Sequence, residues 1–172
     1  MTTPIPLKVP RVAGCSTRIE NARGYRARTH TRRLDRLEPH VGSQLCPLGA
    51  SMPQAHDREL WRRIMNPDHP VCALVCGTSD NNGTLLGLAH YVLHPHTFSS
   101  KMVCYLEDLW VEPSARRAGI GGALIDALVA RGKVQDWRRL YWRTETDNLA
   151  ARALYNRIVR ATNYVRYDID LQ

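Results

Sequence analysis

The 172-residue chain lacks the long apolar runs of membrane proteins, since none of its hydrophobic stretches approaches the length needed to cross a bilayer. We also expect no secretory leader, because no apolar core precedes a small-residue cleavage site near the start of the sequence. Hydrophobic residues make up 44% and charged residues 23% of the chain, as in globular proteins. These features predict a cytoplasmic protein of one domain with a core of ordinary size.

Paired cysteines are also lacking, since the five present are scattered and odd in number. Cys72 and Cys76 fall in a predicted strand, where positions four apart lie roughly 13 Å from each other. They can neither bridge nor form a compact metal clip. We therefore expect reduced, mostly buried thiols.

Three histidines share strand parity and raise the question of a metal site. Pro95 separates His94 from His96, and no carboxylate stands near them or near His90. We interpret all three as solvent-exposed loop residues and predict no metal site.

The net charge of +8 is unevenly placed. Residues 1–66 hold 12 Lys and Arg against 5 Asp and Glu, whereas residues 67–172 hold 12 against 11. The basic stretch from Arg18 to Arg36 suggests a nucleic-acid arm. It has only Tyr25 for stacking and no recognisable binding module, so we interpret it as a solvated basic segment and do not expect nucleic acid as the partner.

Residues 1–50 show poor periodicity with recurring Pro and Gly, and we treat them as a basic N-terminal segment ahead of a domain over residues 51–172. Helices and strands alternate within that domain. This order predicts an α/β fold with a mixed, mostly antiparallel sheet flanked by helices. The predicted strands are Val71 to Cys76, Leu85 to Leu93, Met102 to Val111, Leu140 to Thr144 and Tyr164 to Leu171, and the helices are Gln54 to Met65, one from Ile120, and Asn148 to Ile158.

A glycine-rich turn follows the third of these strands and opens a helix. Unpaired amides at a helix N-terminus favour negative charge. Gly119 and Gly121 have no side chain to keep a phosphate away, and Arg116 and Arg117 add positive charge. The turn predicts a phosphate-bearing ligand, although a pair of glycines alone also suits an ordinary tight turn.

Two familiar phosphate motifs are missing. No Gly-Lys-Ser/Thr follows the glycines, so the P-loop pattern fails. The dinucleotide fingerprint also fails, because Leu124 occupies the position of its third glycine.

Arg116-x-x-Gly119-x-Gly121 resembles the acetyl-CoA signature of the GNAT superfamily of N-acetyltransferases. Asn148-x-x-Ala151-x-x-x-Tyr155 resembles a second element of that family, in the right order and spacing. The resemblance covers roughly residues 70–170 and is closest to the yeast histone and polyamine acetyltransferase group. It implies a GNAT fold, acetyl-CoA as acetyl donor, and a primary amine of a small molecule or basic peptide as acceptor.

The resemblance also implies where the donor binds. The backbone of the strand ending at Val111 pairs with the pantetheine arm, the amides from Arg116 to Gly122 hold the pyrophosphate, and Asn148 contacts the arm. The implied acetyl-CoA-binding residues are Leu109, Trp110, Val111, Arg116, Arg117, Ala118, Gly119, Ile120, Gly121, Gly122, Asn148 and Tyr155.

Acetyl transfer needs a base for the amine, a donor for the oxyanion and an acid for the thiolate. By resemblance, Tyr155 is the acid, Glu107 the base, and the Leu109 amide the oxyanion donor. Strand alternation places Glu107 and Asp108 on opposite faces, so only one faces the acceptor. A core position for Tyr155, an ion pair for Glu107, and a water relay in place of either carboxylate stay open.

Two departures from the family pattern weaken the inference about the acceptor. The Gly-Phe or Gly-Tyr that usually follows the tyrosine is absent, and residues 1–50 do not resemble the family's first strand and helices. A non-catalytic acyl-CoA sensor and a nucleic-acid-binding protein are the alternative functions. Because C-terminal strands contribute to dimers in similar enzymes, we also expect a homodimer.

Overall fold

The computed structural model describes residues 17–21, 54–78 and 84–171. Most of residues 1–50, with the basic stretch beyond Asn21, lie outside these ranges. The strands are β1 (Thr17–Asn21), β2 (Val71–Thr78), β3 (Leu85–His96), β4 (Ser99–Val111) and β5 (Arg139–Trp142), and the helices are α1 (Gln54–Met65), α2 (Ile120–Val134) and α3 (Leu149–Ile158).

The five strands form one sheet in the order β1-β2-β3-β4-β5. Neighbours pair antiparallel from β1 to β4, whereas β5 runs parallel to β4. The connection between these parallel strands contains α2, as a parallel pair requires. The predicted mixed, mostly antiparallel sheet is confirmed, and β1 adds a strand where the sequence indicated none.

The two faces of the sheet carry different helices. On one face, the α2 face, Leu124 and Leu128 of the helix are fully buried against Leu74 and Leu106 of the strands. On the other, the α1 face, Ile64 packs on a smaller cluster of sheet residues. The wide apolar stripe of α2 therefore fixes the helix, and with it the glycine turn, over the middle of the sheet.

A close approach of β3 to α2 sets the distance between the sheet and the glycine turn. A Cβ placed on Gly87 would lie 2.8 Å from Cγ2 of Ile120, the first residue of α2. A larger residue at position 87 would push the start of the helix away from the strand.

The sequence predicted a strand from Tyr164 to Leu171, and this prediction is wrong in the structure of a single copy of the chain. Residues 159–171 form no helix or strand, and the side chains of Tyr167 and Leu171 are 91% and 92% exposed. A strand needs a hydrogen-bonding neighbour, and no described strand pairs with this segment. We call residues 164–171 the C-terminal segment. None of the described helices has the length and apolarity to cross a membrane.

Candidate active site

The glycine turn presents free backbone donors at the start of α2. The Ala123 amide is the first to reach a carbonyl of the helix, that of Gly119 at 2.9 Å. The preceding amides from Ile120 to Gly122 have no acceptor within the helix. No acidic residue stands in the first turn, so nothing there competes for these donors or repels an anion.

The backbone of the turn is unusual at two positions. Gly119 has φ +83° and Arg117 φ 65°, both in the left-handed region. Only glycine adopts this region at little cost. Arg116, Arg117, Ala118 and Gly119 are exposed, so both guanidinium groups stand in solvent beside the free amides.

One arginine ties the turn to the end of β4. Nε of Arg116 donates to the Val111 carbonyl at 3.2 Å. The hydrogen bond holds one of the two arginines close to the strand and leaves Arg117 free of that constraint.

Strand β4 continues beyond the end of β5. The last pair between them is Leu106 with Trp142, whereas β4 runs on to Val111. From Glu107 onwards, the side of β4 that faced β5 has no neighbouring described strand. We call this opening between the two strands the cleft.

The Leu109 amide points into the cleft. The Glu112 amide donates to the Leu86 carbonyl at 3.0 Å, so the adjacent pair Gly87–Val111 is a non-hydrogen-bonded one. Alternation then makes Ala89–Leu109 non-hydrogen-bonded as well. The N–H and C=O groups of Leu109 therefore point away from β3.

Trp110 lies differently from its neighbours. Hydrogen-bonded and non-hydrogen-bonded pairs alternate along β4, and Trp110 forms a hydrogen-bonded pair with Leu88 of β3. Its side chain packs on the α1 face. The structure thus brings Leu109 and Val111 to the cleft through their backbones, but not the backbone or the indole of Trp110.

Gly121 is packed against protein. A Cβ at this position would lie 3.2 Å from Cδ2 of Leu154 in α3, and 3.8 Å from Leu109 and Val111 side-chain atoms. The absence of a side chain at Gly121 therefore admits α3, whereas a Cβ on Gly119 would meet open space.

Tyr155 lies on the α2-face side of the cleft. Its ring is half-buried against the α2-face core and packs on Trp142, the last residue of β5. Burial raises the pKa of the Tyr155 hydroxyl, which keeps it protonated to higher pH. At the start of α3, Oδ1 of Asn148 accepts from the Ala151 amide at 3.2 Å and caps the helix. The capping bond uses the amide oxygen of Asn148 and leaves its nitrogen available.

The two carboxylates of β4 do not lie on opposite faces, contrary to the prediction from alternation. His90 pairs with Asp108 and the next residue, Tyr91, pairs with Leu106, so Glu107 is the extra residue of a β-bulge. Leu106 and Leu109 both pack on the α2 face, which leaves Glu107 and Asp108 turned away from it. Burial, and secondly the Asp108 charge, raise the pKa of Glu107.

An arginine lies near these carboxylates and was missed from the sequence. Nε and Nη2 of Arg143 donate to the Tyr105 hydroxyl at 2.9 and 2.6 Å, and the guanidinium carbon lies 4.9 Å from the ring centroid. Arg143 is close enough to Glu107 to lower that residue's pKa in part. Only the pairing of Tyr105 with Tyr141 reveals this neighbour, and no local motif does.

The histidines also need a correction. All three histidines lie within β3, so none is a loop residue. His90 is only 3% exposed, and His94 and His96 are half-buried. The place of His90 in a predicted strand, two residues after the buried Leu88, was the signal for burial. Within the described ranges, His, Cys, Asp and Glu residues form no group suited to a metal ion.

Comparison with known proteins agrees with this architecture. Residues 43–159 match the family model described as the acetyltransferase (GNAT) family. The chain is 33% identical over 85 residues to the D-amino-acid N-acetyltransferase HPA3 of Saccharomyces cerevisiae, covering 49% of this chain and 53% of that protein. It is 35% identical over 98 residues to the uncharacterized N-acetyltransferase YhfO of Bacillus subtilis, covering 54% and 64%. These matches span only about half to two thirds of the relatives' length.

Solved structures share the fold at low identity. The aminoglycoside N-acetyltransferase AAC(6')-Iy in complex with CoA has 21% identity and a TM-score of 0.71, over 95% of this chain and 99% of that one. A ribosomal-protein-alanine N-acetyltransferase from Brucella melitensis has 21% identity and a TM-score of 0.69, over 91% and 99%. The chain belongs to the acetyltransferase (GNAT) family, whose members take their acetyl group from acetyl-CoA, as the two motifs predicted.

Proposed function

We propose that the protein transfers the acetyl group of acetyl-CoA to the primary amine of a small molecule that also carries a carboxylate, such as an amino acid. The observation that carries this proposal is the arrangement around Leu109. Its N–H points into the cleft, with Glu107 on the α1-face side and Tyr155 on the α2-face side. A base, an oxyanion donor and an acid are thus available where β4 and β5 part.

The donor site fits the parts of acetyl-CoA. The free amides from Ile120 to Gly122 suit a pyrophosphate, and the exposed side chains of Arg116 and Arg117 add positive charge. The outward N–H and C=O groups of Leu109 and the outward N–H of Val111 suit the amides of a pantetheine arm lying where a next strand would pair. The Val111 carbonyl already accepts from Arg116. Bound there, acetyl-CoA supplies an activated acetyl group to the acceptor.

Each proposed catalytic group has one task. Glu107 takes a proton from the acceptor ammonium, so that the neutral amine attacks. The Leu109 N–H donates to the thioester oxygen as it gains negative charge. Tyr155 gives its proton to the sulfur as the carbon–sulfur bond breaks, and the second proton on nitrogen leaves to solvent as the amide forms.

The acceptor class follows from the charges beside Glu107. Arg143 is held by the Tyr105 hydroxyl, and the guanidinium groups of Arg143 and Arg166 both lower the Glu107 pKa. An arginine suits a carboxylate through paired hydrogen bonds. An amino acid would place its amine at Glu107 and its carboxylate at Arg143, in keeping with the acceptor named for the yeast relative.

The same charges argue against a basic peptide. A polycationic acceptor would bring like charges against Arg143 and Arg166. Arg116 and Arg117 add to the positive field near the cleft. We therefore favour the small molecule among the two acceptor classes that the family resemblance implies.

Turnover of acetyl-CoA, followed through the free thiol, tests the proposal. We expect amino acids to be better acceptors than their amides, polyamines, aminoglycosides or a basic peptide. Arg143→Leu should raise KM for the amino acid by about tenfold, the loss of ~1.4 kcal/mol, and leave KM for the amino-acid amide unchanged. Arg139→Leu is the matched control, since this arginine stacks on Tyr141 at the other end of β5.

Three results would contradict this assignment. Equal use of an amino acid and its amide would remove the role of Arg143. Preference for a basic peptide would exchange the acceptor class. Tight acetyl-CoA binding with no thiol release on any acceptor would support the alternative of a non-catalytic sensor.

We further propose a homodimer in which the C-terminal segment contacts a second copy. Its residues Tyr164, Tyr167 and Ile169 are all highly exposed. Several large hydrophobic side chains exposed along one short segment favour a contact with a partner. Among the described strands, β5 has a partner only on its β4 side. That open edge can accept a strand from the second copy. A cytoplasmic location also stays a proposal.

A further inference from the structure

His90 and Asp108 form a pair that joins the core to the α1 face. Nδ1 of His90 lies 3.1 Å from Oδ2 of Asp108 across the β3–β4 ladder. The side chain of His90 is 4% exposed and that of Asp108 is 32% exposed. One end of the pair is therefore fixed in the core, while the other reaches the surface beside Glu107.

The second nitrogen of His90 is unexpected. Nε2 is buried and has no hydrogen-bond partner among the parts of the chain that the structure describes. A buried polar atom without a partner costs about 1–3 kcal/mol. An apolar residue of similar size would avoid this cost, so packing does not explain the imidazole. What remains is the bond made by Nδ1, whose N–H donates to the Asp108 carboxylate.

The β-bulge gives that bond a consequence for Glu107. Because Glu107 is the extra residue, its side chain and that of Asp108 share the side of the strand away from α2. The Asp108 carboxylate then stands beside Glu107 as a fixed negative charge. The groups that interact electrostatically with Glu107 are Asp108, Arg143, Arg166 and His90.

We propose that His90 is a positioning residue for acetyl transfer, which holds the Asp108 carboxylate beside Glu107 and so maintains Glu107 as the base that takes the acceptor's proton. The inference rests on the proposed function, in which Glu107 is that base. Asp108 makes no contact with the reacting atoms in this scheme. Its orientation is what His90 supplies, as partners of functional groups commonly do.

Two substitutions at position 90 test the inference. In His90→Asn the amide nitrogen takes a place near that of Nδ1 and keeps a donor for Asp108, whereas His90→Leu fills the space without a donor. Leu should lower kcat by about 10-fold or more, the scale at which outer-shell partners of metal ligands act, with KM for acetyl-CoA unchanged. Asn should restore kcat to within about threefold of the parent, because the hydrogen bond is kept.

His96→Asn is the control, since it removes an imidazole at the far end of the same strand. Asp108→Asn tests the pair without disturbing the core and should give the same loss of kcat as His90→Leu. The double variant that combines His90→Leu with Asp108→Asn should lose no more kcat than either single variant, because both substitutions remove the same interaction.

The outcomes separate this inference from the proposed function. Loss of turnover in Glu107→Gln with parental kcat in His90→Leu, or equal losses in His90→Leu and His90→Asn in folded protein, would overturn the role of His90 alone. Parental kcat in Glu107→Gln would overturn the base itself. If His90→Leu does not fold, parental kcat in Asp108→Asn would overturn the pair.

Discussion

The Trp142 indole packs on the Tyr155 ring, with centroids 5.3 Å apart and planes inclined by 60°. The contact joins the last residue of β5 to the middle of α3, at the point where the cleft opens. This packing therefore fixes the position of the Tyr155 side chain relative to the end of β5. A phenylalanine at position 155 would keep this packing and lose only the hydroxyl.

Tyr155→Phe should lower kcat by roughly 10²-fold or more, the usual scale for general acid–base catalysis. Acetyl-CoA affinity, measured by calorimetry, should change little. The rate of the parent should fall on the alkaline side at a higher pH than an ordinary tyrosine would give, because burial raises the pKa of this acid. The Phe variant should lose that alkaline limb.

Tyr91→Phe is the matched control for this substitution. It removes a tyrosine hydroxyl that accepts from Arg131 in the α2-face core. It should cost about 1 kcal/mol of unfolding free energy and leave kcat unchanged. Parental kcat in Tyr155→Phe on the best amine would show that Tyr155 is not the acid.

The acidic limb of kcat/KM should belong to Glu107. As a base it works only when ionised, so kcat/KM falls as the pH drops through its pKa. Burial and the Asp108 charge raise that pKa, which places the limb above the pH expected of an ordinary glutamate. Asp108→Asn removes one of these causes and should move the limb to lower pH, whereas Glu107→Gln should abolish turnover that depends on the base.

Asp126→Asn, an exposed carboxylate on α2, is the control and should leave the pH profile in place. The acceptor's own ionisation affects parent and variants alike, so the difference between their profiles is the measurement. An unmoved limb in Asp108→Asn would mean that this charge does not act on the base.

Local patterns predicted most of the fold. Helix α1 has the predicted bounds because its apolar spacing and the terminating Asn66-Pro67 act within one segment. The glycine turn was also readable, since a strand, two arginines and a helix start follow one another. Each of these features depends on residues that are neighbours in the sequence, so the sequence alone reveals it.

Features that depend on a partner strand were not readable. The bulge at Glu107 arises from the register with β3, and alternation alone gave the wrong faces for the two carboxylates. The alternation of apolar and polar residues from Tyr164 to Leu171 indicates which side chains a strand would bury. It does not show whether a sheet edge is available for that strand to pair with. Arg143 meets Tyr105 only because β5 lies beside β4.

The glycine turn can be tested through its backbone. Gly119→Ala meets no atom within 4 Å, yet it forces an alanine to φ +83°, a strain of roughly 1–2 kcal/mol. The turn should relax, misdirect the free amides and weaken acetyl-CoA binding by about tenfold or more in calorimetry, the equivalent of ~1.4 kcal/mol. Gly121→Val is a poorer probe, because its side chain would press on Leu154 and disturb α3 itself.

Ser114→Ala is a suitable control for the turn. It changes an exposed residue of the same loop, just before the amides at issue. Unchanged acetyl-CoA affinity in Gly119→Ala would argue that the pyrophosphate lies elsewhere.

The C-terminal segment should bury its apolar residues in a dimer. Tyr167 and Ile169 are 91% and 87% exposed, and burial of such a side chain contributes about 1.5–3 kcal/mol. Light scattering at micromolar concentration should therefore give twice the chain mass of 19.5 kDa. Ile169→Asp should return the mass to that of one chain, because a carboxylate cannot be buried unpaired at the contact. Phe98→Asp is the matched control, since Phe98 is equally exposed at 87% but lies in the turn between β3 and β4, outside the C-terminal segment. The Phe98→Asp variant should stay dimeric. A mass of 19.5 kDa for the parent would show instead that the C-terminal segment does not contact a second copy.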